Sequence, residues 1–298
     1  MILLTGGSGF VGRNLQSYLK KNGVQYACLK ERLVYGGQYT ITDNTKCVVH
    51  LAGIASEKNA CSSELVFQLN TKETLNLAMQ ACRSGVSRFV FISTIKVNGE
   101  FSETNDPITV FSSRCPLGSY AESKAKAEME LLDFSKKSGM EIVIIRPPLV
   151  YGPNVKSNFL SLMRLVNLGI PLPFGSLDNN SRSLVYVDNL VDLILTCIHH
   201  PNAANQIFLV SDGQDISTLG MIEEMSLALG KNCRKLPVPV WLYEMVGRLF
   251  GKTETIERLV GSLQVDISHT KETLSWKPSV TLREGFTRTA EAFLKLKG

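Results

Sequence analysis

Tyr120 and Lys124 stand four residues apart in the run Tyr120-Ala121-Glu122-Ser123-Lys124. On a helix that spacing puts both side chains on one face. An ammonium close to a phenol stabilises the phenolate and draws a tyrosine pKa of about 10 toward neutrality. A tyrosine so tuned can pass a proton to or from an alcohol while a nicotinamide takes or gives hydride. The plain alternative is an exposed tyrosine beside a solvated lysine, because this spacing is common by chance. A third candidate group is Thr94, with Ser93, in Phe91-Ile92-Ser93-Thr94 at the end of an apolar run. A hydroxyl at a strand end can hold a reacting oxygen, although Ser and Thr also simply form turns.

The segment Thr5-Gly6-Gly7-Ser8-Gly9-Phe10-Val11-Gly12 supplies the context that such chemistry needs. Glycine lets the backbone turn tightly, and a missing Cβ lets phosphate oxygens reach the N–H groups. The N-terminus of the helix that follows favours an anion. Gly6, Gly9 and Gly12 form G-x-x-G-x-x-G, a close variant of the dinucleotide fingerprint. It follows the apolar run Met1–Leu4 and precedes a helical stretch from Val11 to Lys21, as the fingerprint requires.

These groups must be positioned by a regular framework. Buried parallel strands are predicted at Met1–Leu4, Val24–Leu29, Cys47–Leu51, Arg88–Ile92 and Glu141–Ile145. Helices are predicted at Val11–Lys21, Glu64–Ser84 and Tyr120–Lys137, the last two closed by Gly85 and Gly139. A small strand is expected near Tyr39–Ile41. Alternation of this kind means an α/β fold, a doubly wound parallel sheet of Rossmann type covered by helices on both faces. After Gly152, proline, glycine and asparagine become frequent. The expected organisation is a dinucleotide-binding domain over residues 1–153, to which the chain returns at about 183–210 through a strand at Leu184–Val187, a helix at Asn189–His199 and a strand at Ile207–Val210. A smaller C-terminal substrate-binding lobe takes residues 154–182 and 211–298.

Composition narrows the classes. The chain has 298 residues, 44% hydrophobic and 20% charged, with net charge +5, as in an ordinary globule. No block of basic residues interleaved with aromatics points to nucleic acid. Seven cysteines form no C-x-x-C pair or Cys/His cluster, so reduced thiols are expected and no metal site. No apolar run approaches the roughly 18–20 residues that span a bilayer, and the apolar N-terminus is used as the first strand, so a cytoplasmic protein without membrane contact is expected.

With these residues in place the chain resembles the extended short-chain dehydrogenase/reductase family, in its branch of nucleotide-sugar epimerases, dehydratases and 4-ketoreductases. Gly6, Gly9 and Gly12, with Phe10 and Val11, match the family's glycine motif. Tyr120 and Lys124 match its active-site pair, and Thr94 matches its serine or threonine, with Ser93 as the supporting hydroxyl. His50-Leu51-Ala52-Gly53 resembles the H-x-A segment beside the cofactor. Asn70 falls on the asparagine of N-x-x-G-T, with Glu73 in place of the glycine. Arg146-Pro147-Pro148-Leu149-Val150-Tyr151-Gly152-Pro153 resembles R-P-x-x-V-Y-G-P, so Pro147 is expected by the nicotinamide. In the substrate lobe, Asn158 resembles the nucleotide-sugar asparagine, and Arg182 the arginine that grips the diphosphate. Arg258 is a second candidate for that grip. The resemblance implies a UDP-sugar substrate and a homodimer through the helices near 64–84 and 120–137.

Two departures bear on the reaction. The end of the second strand carries Lys30-Glu31-Arg32, where a lone acid would favour NAD. Lys30 and Arg32 favour the 2′-phosphate of NADP(H), whereas Glu31 keeps NAD possible. After the hydroxyls stands Ile95-Lys96-Val97-Asn98-Gly99, where Lys96 either binds a substrate oxygen or points to solvent. Together these favour a net UDP-4-keto-hexose reductase acting at sugar C4, within the polysaccharide-synthesis subgroup that the run 93–100 resembles. A UDP-hexose 4-epimerase with bound NAD is the alternative, for either UDP-glucose or UDP-N-acetylglucosamine. A non-enzymatic dinucleotide-binding protein is a remote one.

Overall fold

The computed structural model describes residues 1–54, 62–103 and 106–295. In chain order the elements are β1 (Ile2–Thr5), α1 (Phe10–Lys21), β2 (Tyr26–Cys28), β3 (Cys47–His50), α2 (Ser63–Phe67) and, after a π-helical turn at Gln68–Lys72, α3 (Glu73–Arg83). Then come β4 (Arg88–Ile92), α4 (Gly118–Ser138), β5 (Glu141–Arg146), β6 (Leu149–Tyr151), α5 (Ser157–Asn167), β7 (Arg182–Tyr186), α6 (Val187–His199), β8 (Ile207–Leu209) and β9 (Asp215–Ile216). The C-terminal part carries α7 (Thr218–Ala228), α8 (Val240–Leu249), α9 (Thr253–Val260), α10 (Ser268–Leu274) and α11 (Leu282–Lys295).

Six parallel strands form the main sheet in the order β2-β1-β3-β4-β5-β8. The order reverses between β1 and β3, so their carboxyl ends open a crevice where ligands of such sheets sit. Strand alternation divides the core between two faces. Leu4, Val49, Val90, Ile92, Val143 and Ile145 pack with Leu15 and Leu19 of α1 and Leu190 and Ile194 of α6. Leu3, Val48, Phe89, Phe91, Ile142 and Ile144 pack with Leu77 and Ala81 of α3 and Ala127 and Leu131 of α4. These strands are buried on both sides, which is why each reads as a continuous apolar run.

Two expectations are corrected. Tyr39–Ile41 forms no strand; its backbone is tied to a helix instead, with Tyr39 N–H donating to Gln80 Oε1 at 2.9 Å. The strand expected at Leu184–Val187 does not rejoin the main sheet. It runs Arg182–Tyr186 and pairs with β6 and β9 in a separate three-stranded sheet, order β6-β7-β9. The return to the main sheet is made by α6, packed on α1, and by β8, paired with β5, and α10 also packs there, with Leu274 and Trp276 in the same core and Thr270 Oγ1 donating to Leu209 O. A separate core covers the small sheet, built on Tyr151, Phe159, Tyr186 and Phe286. Its aromatic rings stand 5.0–5.7 Å apart between centroids. The buried Asp212 ties the halves, accepting from Tyr151 Oη at 2.8 Å, Tyr186 N–H at 2.8 Å and Asn189 Nδ2 at 2.7 Å.

Candidate active site

The glycine turn sits at the crevice between β1 and β3. Gly6 has φ +66°, and a Cβ there would come within 2.6 Å of the Ala52 nitrogen. A Cβ on Gly12 would press into the Gly6 carbonyl and stand 2.8 Å from Gly7 Cα. The turn therefore exists only because these side chains are missing. The helix it feeds, α1, begins at Gly9 with no side-chain cap and no acid in its first turn, and ends on Lys20 and Lys21. Its N-terminal N–H groups and dipole are thus left for an anion. Arg13 Nη1 donates to Ser8 O at 2.6 Å and Gln16 Nε2 to Gly7 O at 2.7 Å, holding the loop in shape.

A cleft of about 670 Å³ opens from this turn, lined by Gly6, Gly7, Ser8, Arg13, Gln16, Cys28, Glu31, Arg32, Ala52 and Gly53 among others. The cradle without Cβ atoms, the uncapped helix and the volume of the cleft fit a dinucleotide. Of the two cations expected at the ribose end, Arg32 lines the cleft and Lys30 does not. Glu31 lines it too, and its carboxyl is held below the usual carboxylate range by its hydrogen bond to Thr40. Phe10, Val11 and Leu51 are half-buried beside the turn rather than in the cleft wall.

Several expected residues act through others. His50 is fully buried, with Thr5 Oγ1 2.8 Å from Nδ1 and Thr74 Oγ1 3.0 Å from Nε2. Burial pushes its pKa down to about 3, so the ring is neutral and structural. Asn70 is also fully buried and clasps the strand end: Ile54 N–H donates to its Oδ1 at 2.8 Å, and its Nδ2 donates to Ile54 O and Ser123 Oγ. The π-helical turn carries Asn70 at this point, and Thr71 Oγ1 donates to Ser123 O at 2.8 Å, so the turn fastens α4 in register. Pro147 is buried, and its carbonyl accepts Ile95 N–H at 3.0 Å. The proline in the neighbouring cavity wall is Pro148.

Helix α4 brings Tyr120 and Lys124 to the ends of β3 and β4. Tyr120 is hydrogen-bonded to the Thr94 side chain. Lys124, 3% exposed, donates to Ile92 O at 3.0 Å, and its ammonium lies 4.4 Å from the centroid of Phe91. A Cβ on Gly53 would stand 3.3 Å from Lys124 Nζ, which places the ammonium at the rim of the dinucleotide cleft. The expected electrostatic coupling is not what the geometry gives. Burial raises the Tyr120 phenol pKa, and the bond to Thr94 is what opposes it. Burial pushes Lys124 down to about 8, against the pull of Glu128. The lysine is turned to a main-chain carbonyl instead of the phenol. Ser93 is committed elsewhere, donating to Glu128 Oε1 at 2.6 Å, so Thr94 is the hydroxyl presented at Tyr120.

A second cavity, about 580 Å³, opens from Thr94 and is walled by Pro148, Leu149 and Val150 after β5, by α5, and by α7 and α9. Thr94, Lys96, Asn158, Arg182 and Arg258 all line it. Arg182 is anchored by Nη1 to the carbonyls of Arg258 and Gly261 at 2.8 and 2.9 Å. Lys96, partly exposed, pairs with Glu100 at 2.6 Å, and Glu100 also takes Arg258 at 2.5 Å. These cations hold the Glu100 carboxyl below its usual range against the opposing effect of burial. Sequence reasoning missed Glu100, although its spacing of four from Lys96 was a usable signal. It also missed Glu128, eight residues after Tyr120 on α4, because a buried carboxylate on a helix shows no mark in sequence until its partners are known.

Fold and site define a dinucleotide-binding α/β enzyme of the extended short-chain dehydrogenase/reductase type. The chain belongs to the NAD dependent epimerase/dehydratase family, whose model matches residues 2–211. It is 52% identical, over 99% of its length and 95% of the relative's, to a UDP-glucose 4-epimerase of Vibrio cholerae. Among solved structures, a UDP-glucose 4-epimerase of Thermotoga maritima in complex with UDP-glucose shares the fold, with TM-score 0.78 and 23% identity, covering 100% of this chain and 99% of that one. RMD from Pseudomonas aeruginosa, complexed with NADPH, gives TM-score 0.79 at 23% identity, covering 99% and 98%. Among the described residues no helix is long and apolar enough to cross a membrane, and no group of three or more metal-ligating side chains occurs.

Proposed function

We propose that this protein is a UDP-hexose 4-epimerase that retains NAD. The observation that carries the assignment to a sugar carbon is the single cavity that opens from Thr94, itself bonded to Tyr120, and gathers Asn158, Arg182 and Arg258. The choice of epimerase over the net reductase expected from Lys30 and Arg32 rests on the 52% identity to the Vibrio cholerae UDP-glucose 4-epimerase. It also rests on the ribose end of the cleft, where a Glu31 carboxyl held below its usual range stands in the wall beside Arg32, and Lys30 does not. A carboxylate there suits the unphosphorylated ribose of NAD.

In this reading the dinucleotide supplies reversible two-electron exchange at sugar C4. The chain's own residues do the rest. Tyr120 takes the proton from the C4 hydroxyl and returns it, and Thr94 Oγ orients the C4 oxygen. Lys124 holds the ribose next to Gly53. Arg182, its Nη1 fixed to two carbonyls, binds the diphosphate, a task for which a planar guanidinium is suited. Burial raises the Tyr120 pKa, so the phenolate that accepts this proton would have to be favoured by the positive charge of bound NAD⁺ beside it.

A two-armed assay tests the proposal. UDP-glucose and UDP-N-acetylglucosamine are supplied without added cofactor, and C4 epimers are sought. UDP-4-keto-6-deoxy-N-acetylglucosamine is supplied with NADPH, and absorbance is followed. Epimers in the first arm, with no absorbance loss in the second, support the proposal. Stoichiometric NADPH consumption without epimers would make the protein a reductase and end the epimerase reading.

A further inference from the structure

The position that carries glycine in the family's N-x-x-G-T helix motif carries Glu73 here, and this glutamate is 1% exposed. Its carboxylate is not idle. Oε2 accepts Gly36 N–H at 2.8 Å, and Oε1 accepts the Tyr39 hydroxyl and Asn76 Nδ2. Asn76 and Gln80, three and seven residues further along α3, continue the same face. Both donate to Gly37 O, at 2.9 and 2.8 Å, and Gln80 Oε1 accepts Tyr39 N–H at 2.9 Å. One face of α3 thus grips the main chain of a single loop at residues 36, 37 and 39. The same loop is cinched at its base, where Thr40 N–H donates to Glu31 Oε1 at 3.2 Å. Lys72 adds a cation–π contact to Tyr35, at 5.4 Å.

The loop so held is the far wall of the dinucleotide cleft. Glu31, Arg32 and Leu33 all line it. The loop has no strand or helix of its own, so its shape is set by side chains that reach it from α3. A loop of that kind orders its binding groups only as well as its anchors hold.

We propose that Glu73, with Asn76 and Gln80, is a positioning device that presents Glu31 to the ribose end of the cleft and so sets the preference for NAD over NADP. None of the three touches the cofactor; each acts through the main chain of residues 36–39. The inference rests on the reading of this cleft as a dinucleotide site, but not on the reaction performed in the other cavity.

The test is dinucleotide binding by the full chain, freed of retained nucleotide, measured by calorimetry for NAD⁺, NADP⁺ and UDP. Glu73→Gly, which restores the family's glycine, should weaken NAD⁺ by about tenfold, as expected for losing a charge-assisted anchor. NADP⁺ should change by less than about threefold, so the NAD⁺/NADP⁺ ratio falls, and UDP binding should stay within about twofold. Glu73→Gln keeps the shape but leaves one acceptor oxygen for two sets of donors, so it should recover only part of the loss. Tyr39→Phe, at the outer end of the same contact, should give an intermediate loss in a variant with little risk to folding. A merely structural role would lower all three affinities together, and that result overturns the proposal. Equal NAD⁺ affinity in wild type and Glu73→Gly overturns it too. A wild-type protein that binds neither dinucleotide removes both this inference and the proposed function, whereas failure of epimerase turnover with normal NAD⁺ binding removes only the latter.

Discussion

Glu128→Ala offers the sharpest check on how the site is held. Glu128 is fully buried on α4. Its carboxylate accepts from Ser93 Oγ at 2.6 Å, from Arg146 Nε and Nη2 at 2.9 and 2.5 Å, and from Arg114 Nη2 at 3.2 Å. Arg146 is itself only 1% exposed, and its Nη1 donates to Asn98 Oδ1 at 2.9 Å. Removing Glu128 leaves the Arg146 guanidinium buried without a counter-charge, a situation that costs about 3–5 kcal/mol. For a chain of this length that corresponds to a fall of about 5–8 °C in melting temperature. Arg114, half-exposed in its side chain, adds little by comparison. The assay is chemical denaturation of wild type, Glu128→Ala, Arg146→Met and the double variant. The double variant should be more stable than Glu128→Ala, because the orphaned charge has gone, with a coupling energy of about 2 kcal/mol or more. A Glu128→Ala protein within about 0.5 kcal/mol of wild type, or additive single effects, would refute the reasoning.

Other outcomes follow from the same geometry. Tyr120→Phe should keep dinucleotide binding and lose at least about a hundredfold in kcat; a near-normal rate in steady-state assay would remove Tyr120 from proton transfer. Arg182→Lys should raise KM for the UDP-sugar by about tenfold with little change in kcat, because a lysine cannot keep both carbonyl anchors and bind two phosphate oxygens; an unchanged KM would place the diphosphate elsewhere. Gly12→Ala should abolish dinucleotide binding in calorimetry, since the Gly6 carbonyl already fills the space a Cβ needs; normal binding would show that the turn yields. Lys124, pushed down to about 8 from an ordinary 10.5, binds its proton less tightly folded than unfolded. Stability of the nucleotide-free protein therefore carries a penalty below pH 8 that is relieved as pH rises toward 10. The stability advantage of Lys124→Met over wild type should shrink across that window in denaturation curves; a difference independent of pH would show that Lys124 is not so shifted.

Much of this protein is determined by local sequence. The strands at Leu3, Val48, Phe89 and Ile144 are continuous apolar runs because both faces of a parallel sheet are covered, and that signal survives without a structure. The glycine turn is equally legible, because the absence of three Cβ atoms is itself the requirement. Tyr120, Lys124 and Thr94 stand out as candidates by spacing and by their place after predicted strands. What the sequence could not decide is which side chain each polar group meets. The Lys124 ammonium turned to Ile92 O rather than to the phenol, and Lys96 was claimed by Glu100. The strand at Arg182–Tyr186 has the same apolar look as its neighbours, yet it joined β6 and β9 instead of the main sheet. Nor does anything local mark the loop at 31–41, whose expected strand gave way to an irregular wall hung from Glu73, Asn76 and Gln80. Periodicity and missing side chains are properties of the chain, readable one segment at a time. Partners separated by tens of residues are chosen only when the sheet has brought its strand ends together, and at those ends the site is made.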